Sequence, residues 1–519
     1  MKITILSTSD IHSHIFPTSF RKADDNQPFG YLKAAQVVND IRQAANPNEM
    51  VLYIENGDFI EGNPMAEYAH DTRQSKHYDQ LYSQILNHMH PTAAVLGNHE
   101  FSFGQDYLKH VWAHRHFPIL CANIGYAQKH GLADSQYLLL QKHGVKVAIL
   151  GLTTQYVPEW EPAQHITGLK FRSALSAAKK WVPLLHQVAD IVIVAYHGGF
   201  EGDLETGKAV EALTGENEAS AILKQVPGID ALVTGHQHRE IATKVNGVPV
   251  TQPGFRGAKV GCISLEIDQN KQVTSSQSQL ISTSDAPLEP YLQQITTAWQ
   301  TDVEHWLSQP LATIDGDMLI HDPLQARLHG HAYLDLINRV QMDATGTDIA
   351  ATSLFNDEVR GFDHQVTIRN VLNSYVYPNT PAVEKTTGAD LKAALERCAS
   401  MWELDADGNV IVADSFLHPK QRLYNYDYYS GIDYTFDLRK PVGQRVTQLQ
   451  YHGKDVQPNQ VLEFTTGRYR ASGGGKYPMF SAAKITRQIH TVTSKLIIQY
   501  LQKHPQIKAQ QPHNLTIIK

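Results

Sequence analysis

Length, composition and charge exclude several classes of protein. The chain has 519 residues, of which 42% are hydrophobic and 19% charged, so it is too long for a single small binding module and apolar enough to fold into at least two domains. A formal net charge of −7 provides no basic field that would hold a nucleic-acid polymer. The three widely spaced cysteines, Cys121, Cys262 and Cys398, form neither a disulfide framework nor a Cys-x-x-Cys metal site.

The N-terminal residues bear on the cellular location of the protein. The segment MKITILSTSDIHSH holds only a short apolar run, which is too brief for the hydrophobic region of a signal peptide, and no apolar run of about 20 residues follows. We therefore expect a cytoplasmic protein without a membrane partner. The sequence leaves the oligomeric state open.

The first 270 residues alternate short β-branched runs with amphipathic segments, which is typical of a layered α/β domain. The predicted strands cover 3–8, 50–55, 93–96, 145–152, 191–195 and 231–234. Five of them end directly before a polar cluster: SDIHSH, NGDF, GNHE, YHGG and GHQH. Because ligands bind at the carboxyl ends of strands in open α/β sheets, these clusters are predicted to converge on one site.

The composition changes after residue 310. A polar passage at 269–287 precedes a predicted helix over 288–307, so we place an α/β domain at 1–285, a linker helix at 286–310 and a second, α+β domain at 311–519. Helices are predicted there at 326–341 and 388–401, with Tyr-rich strands and a helix near the end. The stretch SGGGKY is not a phosphate loop, because Arg470 and Tyr477 occupy positions that need Gly and Ser or Thr.

The polar clusters together supply a set of metal ligands. Taken singly, several are ordinary turn residues, and Gly57-Asp58 is a common turn pair. As a set they suffice for two divalent ions that share one carboxylate, for which Asp58 is the natural bridge. Nitrogen and oxygen ligands without thiolate favour Mn, Zn, Fe or Co, and the sequence does not choose among these metals. The candidate ligands are Asp10, His12, Asp58, Asn98, His197, His236 and His238.

The order D-x-H, G-D, G-N-H-E, H-G-G, G-H-x-H resembles that of the calcineurin-like metallophosphoesterases. In the second half, TTGADLKAALE, YSGIDYTFDL and YRASGGGKYP resemble the 5′-nucleotidase and 2′,3′-cyclic-nucleotide phosphodiesterase branch. The resemblance implies a four-layer α/β/β/α sandwich followed by an α+β nucleotide-binding domain. It also implies the division of the ligands, with Asp10, His12 and His238 on one ion, Asn98, His197 and His236 on the other, and Asp58 between the two.

The resemblance makes His99 the catalytic histidine. Next to a metal ligand, an imidazole can stabilise developing charge or protonate the departing alkoxide; the alternative is a buried histidine that only supports the site. The pattern departs from the family at Ser102, because many 5′-nucleotidases continue as GNHEFD and pair that aspartate with the histidine. A hydroxyl orients an imidazole more weakly than a carboxylate does.

The second domain carries candidate base-binding tyrosines. In LYNYDYYSGIDY the alternating Tyr424, Tyr426 and Tyr428 are predicted to share one face of a strand. Two aromatic rings can clamp a nucleotide base, and the resemblance maps the stacking pair onto Tyr426 and Tyr477, with Tyr428 as a further candidate. Packing of the tyrosines within a sheet is the alternative.

The ester specificity is predicted from a missing cation. Many 5′-nucleotidases carry NGGGIR, whose arginine holds the monophosphate, whereas this chain has ATSLFND. Together with YVYPNT and YHGGFE, this segment favours the cyclic-nucleotide phosphodiesterase/3′-nucleotidase branch. We predict hydrolysis of 2′,3′-cyclic nucleotides and 3′-nucleotides by a dinuclear metal centre. The alternatives are a 5′-nucleotidase or UDP-sugar hydrolase, and a nucleotide-binding protein without catalysis.

Overall fold

The computed structural model describes residues 1–377, 379–418 and 421–519. The chain divides into two compact units, unit 1 (Met1–His305) and unit 2 (Trp306–Lys519). The segment YVYPNT includes Pro378, which lies outside the described residues. Within the described part of the chain, no helix is both long enough and apolar enough to cross a membrane.

Among the described residues, unit 1 contains two six-stranded mixed β-sheets with helices outside them, and a small two-stranded sheet formed by Ile124–Gly125 and Lys170–Phe171. Its strands are β1 (Lys2–Thr8), β2 (Met50–Glu55), β3 (Ala93–Val95), β4 (Ile119–Leu120), β5 (Ile124–Gly125), β6 (Tyr137–Lys142), β7 (Val145–Thr153), β8 (Lys170–Phe171), β9 (Ile191–His197), β10 (Ala231–Thr234), β11 (Glu240–Val245), β12 (Val248–Pro253), β13 (Lys259–Ile267) and β14 (Val273–Ser282). Its helices are α1 (Tyr31–Ala44), α2 (Pro64–Asp71), α3 (Leu81–Met89), α4 (Gln105–Val111), α5 (Val157–Trp160), α6 (Ala174–Leu185), α7 (Ala219–Gln225) and α8 (Pro290–Leu307), the last of which crosses into unit 2.

The strand order aligns the carboxyl ends of the central strands. The first sheet has the order β14-β13-β1-β2-β3-β4, and the second has the order β11-β12-β10-β9-β7-β6. Strands β1 to β4 run parallel, as do β7, β9, β10 and β12. Thr8 pairs with Glu55 and Tyr196 with Thr234, so the loops that follow these strands begin side by side.

The core of unit 1 confirms the predicted α/β/β/α layering. Between the sheets, Ile5 and Leu52 belong to the same buried cluster as Ile149 and Ile193. On the outer face of the second sheet, Val194 and its neighbours pack with residues of α6 and α7. On the outer face of the first sheet, Tyr31 of α1 contacts Tyr53 of β2, with 2.9 Å between the hydroxyl oxygens.

Unit 2 has an α+β architecture. Its strands are β15 (Pro310–Asp315), β16 (Met318–Leu319), β17 (Ala350–Ser353), β18 (Gly361–Phe362), β19 (Gln365–Thr367), β20 (Pro381–Thr387), β21 (Trp402–Leu404), β22 (Val410–Val412), β23 (Asp427–Ser430), β24 (Asp433–Asp437), β25 (Val446–Tyr451), β26 (Lys454–Asp455), β27 (Val461–Gly467), β28 (Ile485–Gln488), β29 (Gln506–Lys508) and β30 (Leu515–Ile518). Its helices are α9 (Pro323–His329), α10 (Ala332–Thr345), α11 (Ile368–Ser374), α12 (Gly388–Ala399), α13 (Asp414–Leu417), α14 (Arg468–Ala471) and α15 (Thr493–Lys503).

The largest sheet of unit 2 among the described residues has the order β23-β17-β27-β20-β28, and α10 packs against β17 and β23. Helix α12 begins where the sequence predicts, at a capping box formed by Thr387 and Asp390.

The single helix predicted at 326–341 is wrong. Gly330, with φ 74°, ends α9, and the His331 side chain caps α10 by accepting a hydrogen bond from the Tyr333 N–H.

Candidate metal centre and catalytic site

The candidate ligands lie at the carboxyl ends of strands of the two six-stranded sheets or in the turns that follow them. Asp10 follows β1, Asp58 follows β2, Asn98 follows β3 and His197 is the last residue of β9. The turns bond to each other through backbone groups: the Asp10 N–H donates to Gly57 O at 2.9 Å, and the His12 N–H donates to Asp58 O at 2.8 Å. These two hydrogen bonds fix the turn after β1 against the turn after β2.

Many of these residues adopt a backbone conformation that L-residues rarely take. Positive φ angles of 50° to 70° occur at Asp10, His12, Asp58, His236 and His238. Such conformations are unfavourable by about 1–3 kcal/mol each and concentrate at functional sites, where the surrounding structure enforces them. These backbone conformations therefore lower the stability of the turns, and they orient the side chains of the candidate ligands.

The oxygen of Asn98 lies between two imidazole nitrogens that carry lone pairs. His197 donates its Nδ1 hydrogen to Asn56 O at 2.7 Å, so in the neutral ring the lone pair of Nε2 lies 3.2 Å from Asn98 Oδ1. His236 is fixed in the opposite sense, because its Nε2 contacts Glu216 Oε1 at 3.1 Å and its Nδ1 lies 2.9 Å from Asn98 Oδ1. Lone pairs that face one another at these distances repel unless a cation lies among them.

A second group of lone pairs converges near Asp10. The Nε2 atoms of His12 and His238 are 2.9 Å apart, while His12 donates its Nδ1 hydrogen to Glu61 O at 3.0 Å. Asp10 Oδ1 lies 3.5 Å from His238 Nε2. This arrangement of two imidazoles and a carboxylate also has the donor chemistry of a cation site.

One oxygen of Asp58 lies within reach of both groups. Asp58 Oδ1 accepts a hydrogen bond from the His99 N–H at 2.7 Å. Asp58 Oδ2 lies 3.2 Å from His197 Nε2 and 3.8 Å from His12 Nε2. The carboxylate is therefore oriented by one oxygen and presents the other to both ligand groups.

The charges of the site depend on its burial. Burial lowers the pKa of His12 to about 3, so its ring is neutral and its lone pair is available. Burial also acts to lower the pKa of His197, but the adjacent Asp58 carboxylate outweighs it and raises this pKa to about 10. Cations bound at the centre would lower the pKa of His197 again, because metal binding displaces the ring proton.

His99 lies beside the ligands in a 3-10 turn formed by His99–Phe101. Its ring makes an edge contact with His12 at a centroid distance of 5.1 Å. Burial acts to lower the pKa of His99, but Asp58 and Glu61 outweigh it and raise this pKa to about 10. The ring is therefore next to the ligand groups and in contact with carboxylates.

Glu100 is a supporting residue whose role the sequence motifs do not reveal. Its buried carboxylate accepts hydrogen bonds from three backbone N–H groups, at 2.6 Å from Gly97 N, 2.8 Å from Asp58 N and 2.8 Å from Phe59 N. It ties the turn after β2 to the turn after β3. Its position directly after His99 in GNHE was the available signal, but two of the three backbone partners, Asp58 and Phe59, lie in the turn after β2.

The three tyrosines predicted to bind substrate are buried inside unit 2. Tyr426 and Tyr428 are 1% exposed and Tyr477 is 0% exposed. Tyr477 packs under the Arg470 guanidinium, 4.0 Å from its ring centroid, and donates its hydroxyl hydrogen to Asn425 O at 2.8 Å. A ring without an exposed face cannot stack on a base, so these positions correct the expected assignment.

The predicted strand face is also wrong, because Leu423–Asn425 form a 3-10 turn and β23 starts only at Asp427. The alternation that would align Tyr424 with Tyr426 is therefore broken. Tyr424 keeps partial exposure, and Tyr469 is 55% exposed. The segments that carry them are joined by Arg470, which pairs with Asp427 at 2.6 Å and donates to Tyr424 O at 3.0 Å.

Comparison with known proteins places both units in recognised families. Residues 3–240 match the calcineurin-like phosphoesterases, and residues 311–482 match the C-terminal domain of the 5′-nucleotidases. A Staphylococcus aureus protein, described as a 5′-nucleotidase and solved in complex with α-ketoglutarate, is 35% identical, with a TM-score of 0.83 and coverage of 100% of both chains. The chain belongs to the 5′-nucleotidase family of calcineurin-like metallophosphoesterases.

Two curated relatives of this metallophosphoesterase are named 2′,3′-cyclic-nucleotide 2′-phosphodiesterase/3′-nucleotidase. The protein from Yersinia enterocolitica is 26% identical and matches over 99% of this chain and 87% of its own length. The protein from Haemophilus influenzae is 27% identical, over 94% of this chain and 83% of its own length. Together with the family membership, these matches identify the chain as a nucleotide phosphoester hydrolase.

The donor set of this metallophosphoesterase fits the divalent metals that its family uses. The ligand atoms of Asp10, His12 and His238 lie within 4.8 Å of one another, and so do those of Asp58, His197 and His236. In His12, His197 and His236 a protein partner holds one ring nitrogen while the other faces the cluster. This is how ligand histidines are normally held, with the second nitrogen fixing the tautomer.

Proposed function

We propose that the enzyme hydrolyses 2′,3′-cyclic nucleotides and 3′-nucleotides with two divalent cations bound in unit 1. The names of the relatives from Y. enterocolitica and H. influenzae support this activity, since both match this chain over nearly its whole length. The single observation that carries the choice of ester is the loop after β17 in unit 2.

The first four residues of that loop, Leu354, Phe355, Asn356 and Asp357, contain no cation. The one arginine of the loop, the exposed Arg360, stands at its far end, next to β18. Arg327 contacts the loop, but it is 2% exposed and is engaged by Leu354 O at 3.1 Å and by Asp357 Oδ1 at 2.7 Å. A dianionic 5′-phosphate loses more from the absence of a guanidinium than a monoanionic cyclic diester does. The loop therefore supports a preference for the diester.

The two cations are assigned to the two ligand groups. Asp10, His12 and His238 would hold one ion, Asn98, His197 and His236 the other, and Asp58 would touch both. The nitrogen and oxygen ligands suit Mn, Zn, Fe or Co. Bound divalent cations supply two kinds of chemistry, activation of water near neutral pH and neutralisation of phosphoryl charge.

His99 is the proposed catalytic residue. The Asp58 carboxylate accepts its backbone N–H at 2.7 Å and so fixes the residue beside the ligand groups. From there the imidazole can donate a proton to the ribose oxygen that leaves phosphorus, and it recovers a proton from water afterwards. Replacement by alanine is expected to keep both metals and remove most turnover.

We assign base binding to Tyr424 and Tyr469 of unit 2 in place of the buried tyrosines. Both rings have exposed surface, and Arg470 fixes their segments to each other. The glycine run serves this arrangement, because a Cβ on Gly474 would lie 2.6 Å from the Tyr469 ring. Stacking between aromatic side chains tolerates different bases, so a broad base range is expected.

A substrate panel tests the proposal. The kcat/KM values of 2′,3′-cyclic AMP, 3′-AMP, 5′-AMP and a UDP-sugar are compared with Mn, Zn, Co and Mg in turn, and the bound metal is counted by elemental analysis. We expect the cyclic diester to be the best substrate and two ions per chain. A clear preference for 5′-AMP, or a single ion in fully active enzyme, would overturn the proposal.

A 5′-nucleotidase is the second candidate. It is favoured by the S. aureus structure, which is 35% identical and is described as a 5′-nucleotidase. The same metal centre would serve, and the panel separates the two activities directly. Addition of an arginine in the loop after β17, as in Phe355→Arg, should shift the ratio of kcat/KM values towards 5′-AMP if the missing cation sets the preference.

A further inference from the structure

The imidazole of His99 has a carboxylate partner that the sequence pattern does not reveal. Ser102 stands where relatives commonly place an aspartate, and its Oγ lies 3.3 Å from His99 Nδ1. A closer contact comes from Glu61, whose Oε2 lies 2.6 Å from His99 Nδ1. Glu61 belongs to the turn after β2, so this carboxylate approaches from a different strand end.

Ser102 is itself tied to a second carboxylate. Its Oγ donates to Glu161 Oε1 at 3.1 Å, and the other oxygen of Glu161 lies 3.1 Å from His165 Nδ1. The hydroxyl therefore links His99 to Glu161 without direct contact between the two. Because a neutral hydroxyl intervenes, this support is weaker than a direct carboxylate contact.

We propose that Glu61 is the positioning residue of His99 and takes the part of the aspartate that Ser102 replaces, while Ser102 and Glu161 give secondary support. The inference rests on the proposed function, because it assumes that His99 acts on the substrate. Its test includes a measurement that needs no substrate.

The geometry explains how one residue would serve both halves of the site. The backbone carbonyl of Glu61 accepts the Nδ1 hydrogen of His12 at 3.0 Å, while its side chain contacts His99. A carboxylate at Nδ1 places the proton there and fixes the tautomer and ring orientation, so Nε2 is the nitrogen left for the substrate. In the proposed step, the imidazolium form of His99 transfers its Nε2 proton to the leaving ribose oxygen as the P–O bond breaks, and the neutral ring keeps its Nδ1 hydrogen towards Glu61.

The same residues could be read as a third cation site, because ligand atoms of His12, Glu61 and His99 lie within 4.8 Å of one another. The contacts of His12 argue against this. Its Nδ1 donates to Glu61 O and its Nε2 faces His238 Nε2 at 2.9 Å, so no further lone pair of His12 remains. Glu61 and His99 alone are a poor site for a divalent ion.

The first test is kinetic. Glu61→Ala is expected to lower kcat about 10–100-fold, the usual effect of removing the partner that orients a functional histidine. KM should change little, and elemental analysis should still find the wild-type metal content. Glu161→Ala should produce a smaller loss, and the exposed Glu159 in the same region provides a control, with Glu159→Ala expected to be unchanged.

Rescue makes the test specific. Ser102→Asp places a carboxylate next to His99 Nδ1 from the position that the hydroxyl now occupies, so it should restore most of the kcat lost in Glu61→Ala. A merely structural role of Glu61 would not be repaired from Ser102. Failure of this rescue in a double variant that keeps the wild-type metal content and melting temperature would overturn the proposal, as would a Glu61→Ala enzyme with kcat within twofold of wild type.

The second test is spectroscopic and independent of turnover. In the Zn-loaded enzyme, the Nδ1 proton of His99 should give a low-field resonance, which is identified by its disappearance in His99→Ala. The resonance should be lost in Glu61→Ala and kept in Glu161→Ala. Its persistence in Glu61→Ala, or the loss of a bound metal ion in that variant, would contradict the assignment even if the enzyme proved inactive on nucleotides.

Discussion

Glu216 holds His236 by one ring nitrogen, with 3.1 Å between Glu216 Oε1 and His236 Nε2, while the other nitrogen lies 2.9 Å from Asn98 Oδ1. The glutamate comes from a loop whose Leu213 is 74% exposed. A candidate ligand histidine is thus oriented by a residue outside the sheets. The sequence motifs around His236 gave no sign of it.

Removal of that carboxylate should weaken metal binding. Glu216→Ala is expected to lower the affinity for a divalent metal ion about 10–100-fold, because the imidazole loses the partner that fixes its tautomer and orientation. Competition with a chromogenic chelator measures the change, and Glu216→Gln, which can still accept the Nε2 hydrogen, should lose less. Equal affinity in Glu216→Ala and wild type would contradict the prediction.

Glu100 should be important for stability as well as for activity. Glu100→Ala leaves the N–H groups of Gly97, Asp58 and Phe59 without their acceptor, and each unpaired buried group costs about 1–3 kcal/mol. We expect a loss of about 3–5 kcal/mol in the free energy of unfolding, measured by urea denaturation. Glu159→Ala, at an exposed position, is the control, and a loss below about 1 kcal/mol in Glu100→Ala would refute the account.

The turn after β2 should not tolerate a side chain at Gly57. This residue has φ 89°, and a Cβ there would lie 2.5 Å from Gly97 N and 2.8 Å from His197 Nδ1. Gly57→Ala should therefore displace a ligand and reduce bound metal. Gly131, with φ 70° and open space around the Cβ position, is the matched control, because Gly131→Ala tests the backbone strain alone, about 1 kcal/mol. Normal metal content in Gly57→Ala would contradict the prediction, because it would show that the turns can move to accommodate a side chain.

The base-binding assignment predicts a selective effect on KM. Tyr469→Ala and Tyr424→Ala should each raise KM for nucleotides about tenfold, since stacking on one base contributes about 1–3 kcal/mol. Hydrolysis of bis(p-nitrophenyl) phosphate, which has no base, should change little. Tyr426→Phe serves as the control, because this ring is buried and only its hydroxyl is removed. Unchanged nucleotide KM in both alanine variants would remove the assignment.

Unit 2 contains a buried carboxyl that should make stability depend on pH. Burial raises the pKa of Glu384 from 4.5 to about 7. Because the folded-state pKa lies above the unfolded value, folding retains a proton between these two pH values, so stability falls as the pH rises through that window and levels off above it. The melting temperature of wild type should therefore fall by a few degrees more from pH 5 to pH 8 than that of Glu384→Gln. The exposed Glu403 gives the control variant Glu403→Gln, and parallel curves for wild type and Glu384→Gln would contradict the prediction.

Much of unit 1 follows from local patterns in the sequence. The apolar runs predict its central strands, and 50–55 and 231–234 coincide with β2 and β10. Polar clusters directly after such strands converge because the carboxyl ends of parallel strands share one edge. The strand β14 was not predicted, because its Ser- and Gln-rich sequence, VTSSQSQLIS, lacks apolar alternation and only pairing with β13 defines it.

The tertiary structure decided the partners of the functional groups. Glu61 contacts His99 because the turn after β2 lies beside the turn after β3. Glu216 contacts His236 from a loop outside the sheets. Neither contact can be predicted from the spacing of these residues along the chain. The buried tyrosines show the same limit. Tyr424, Tyr426 and Tyr469 are the same residue type, but the Arg470–Asp427 pair and the 3-10 turn at Leu423–Asn425 determine which rings face solvent. Strand-end chemistry is local and was therefore predicted, whereas side-chain partnerships depend on contacts between distant segments and appear only once the chain is folded.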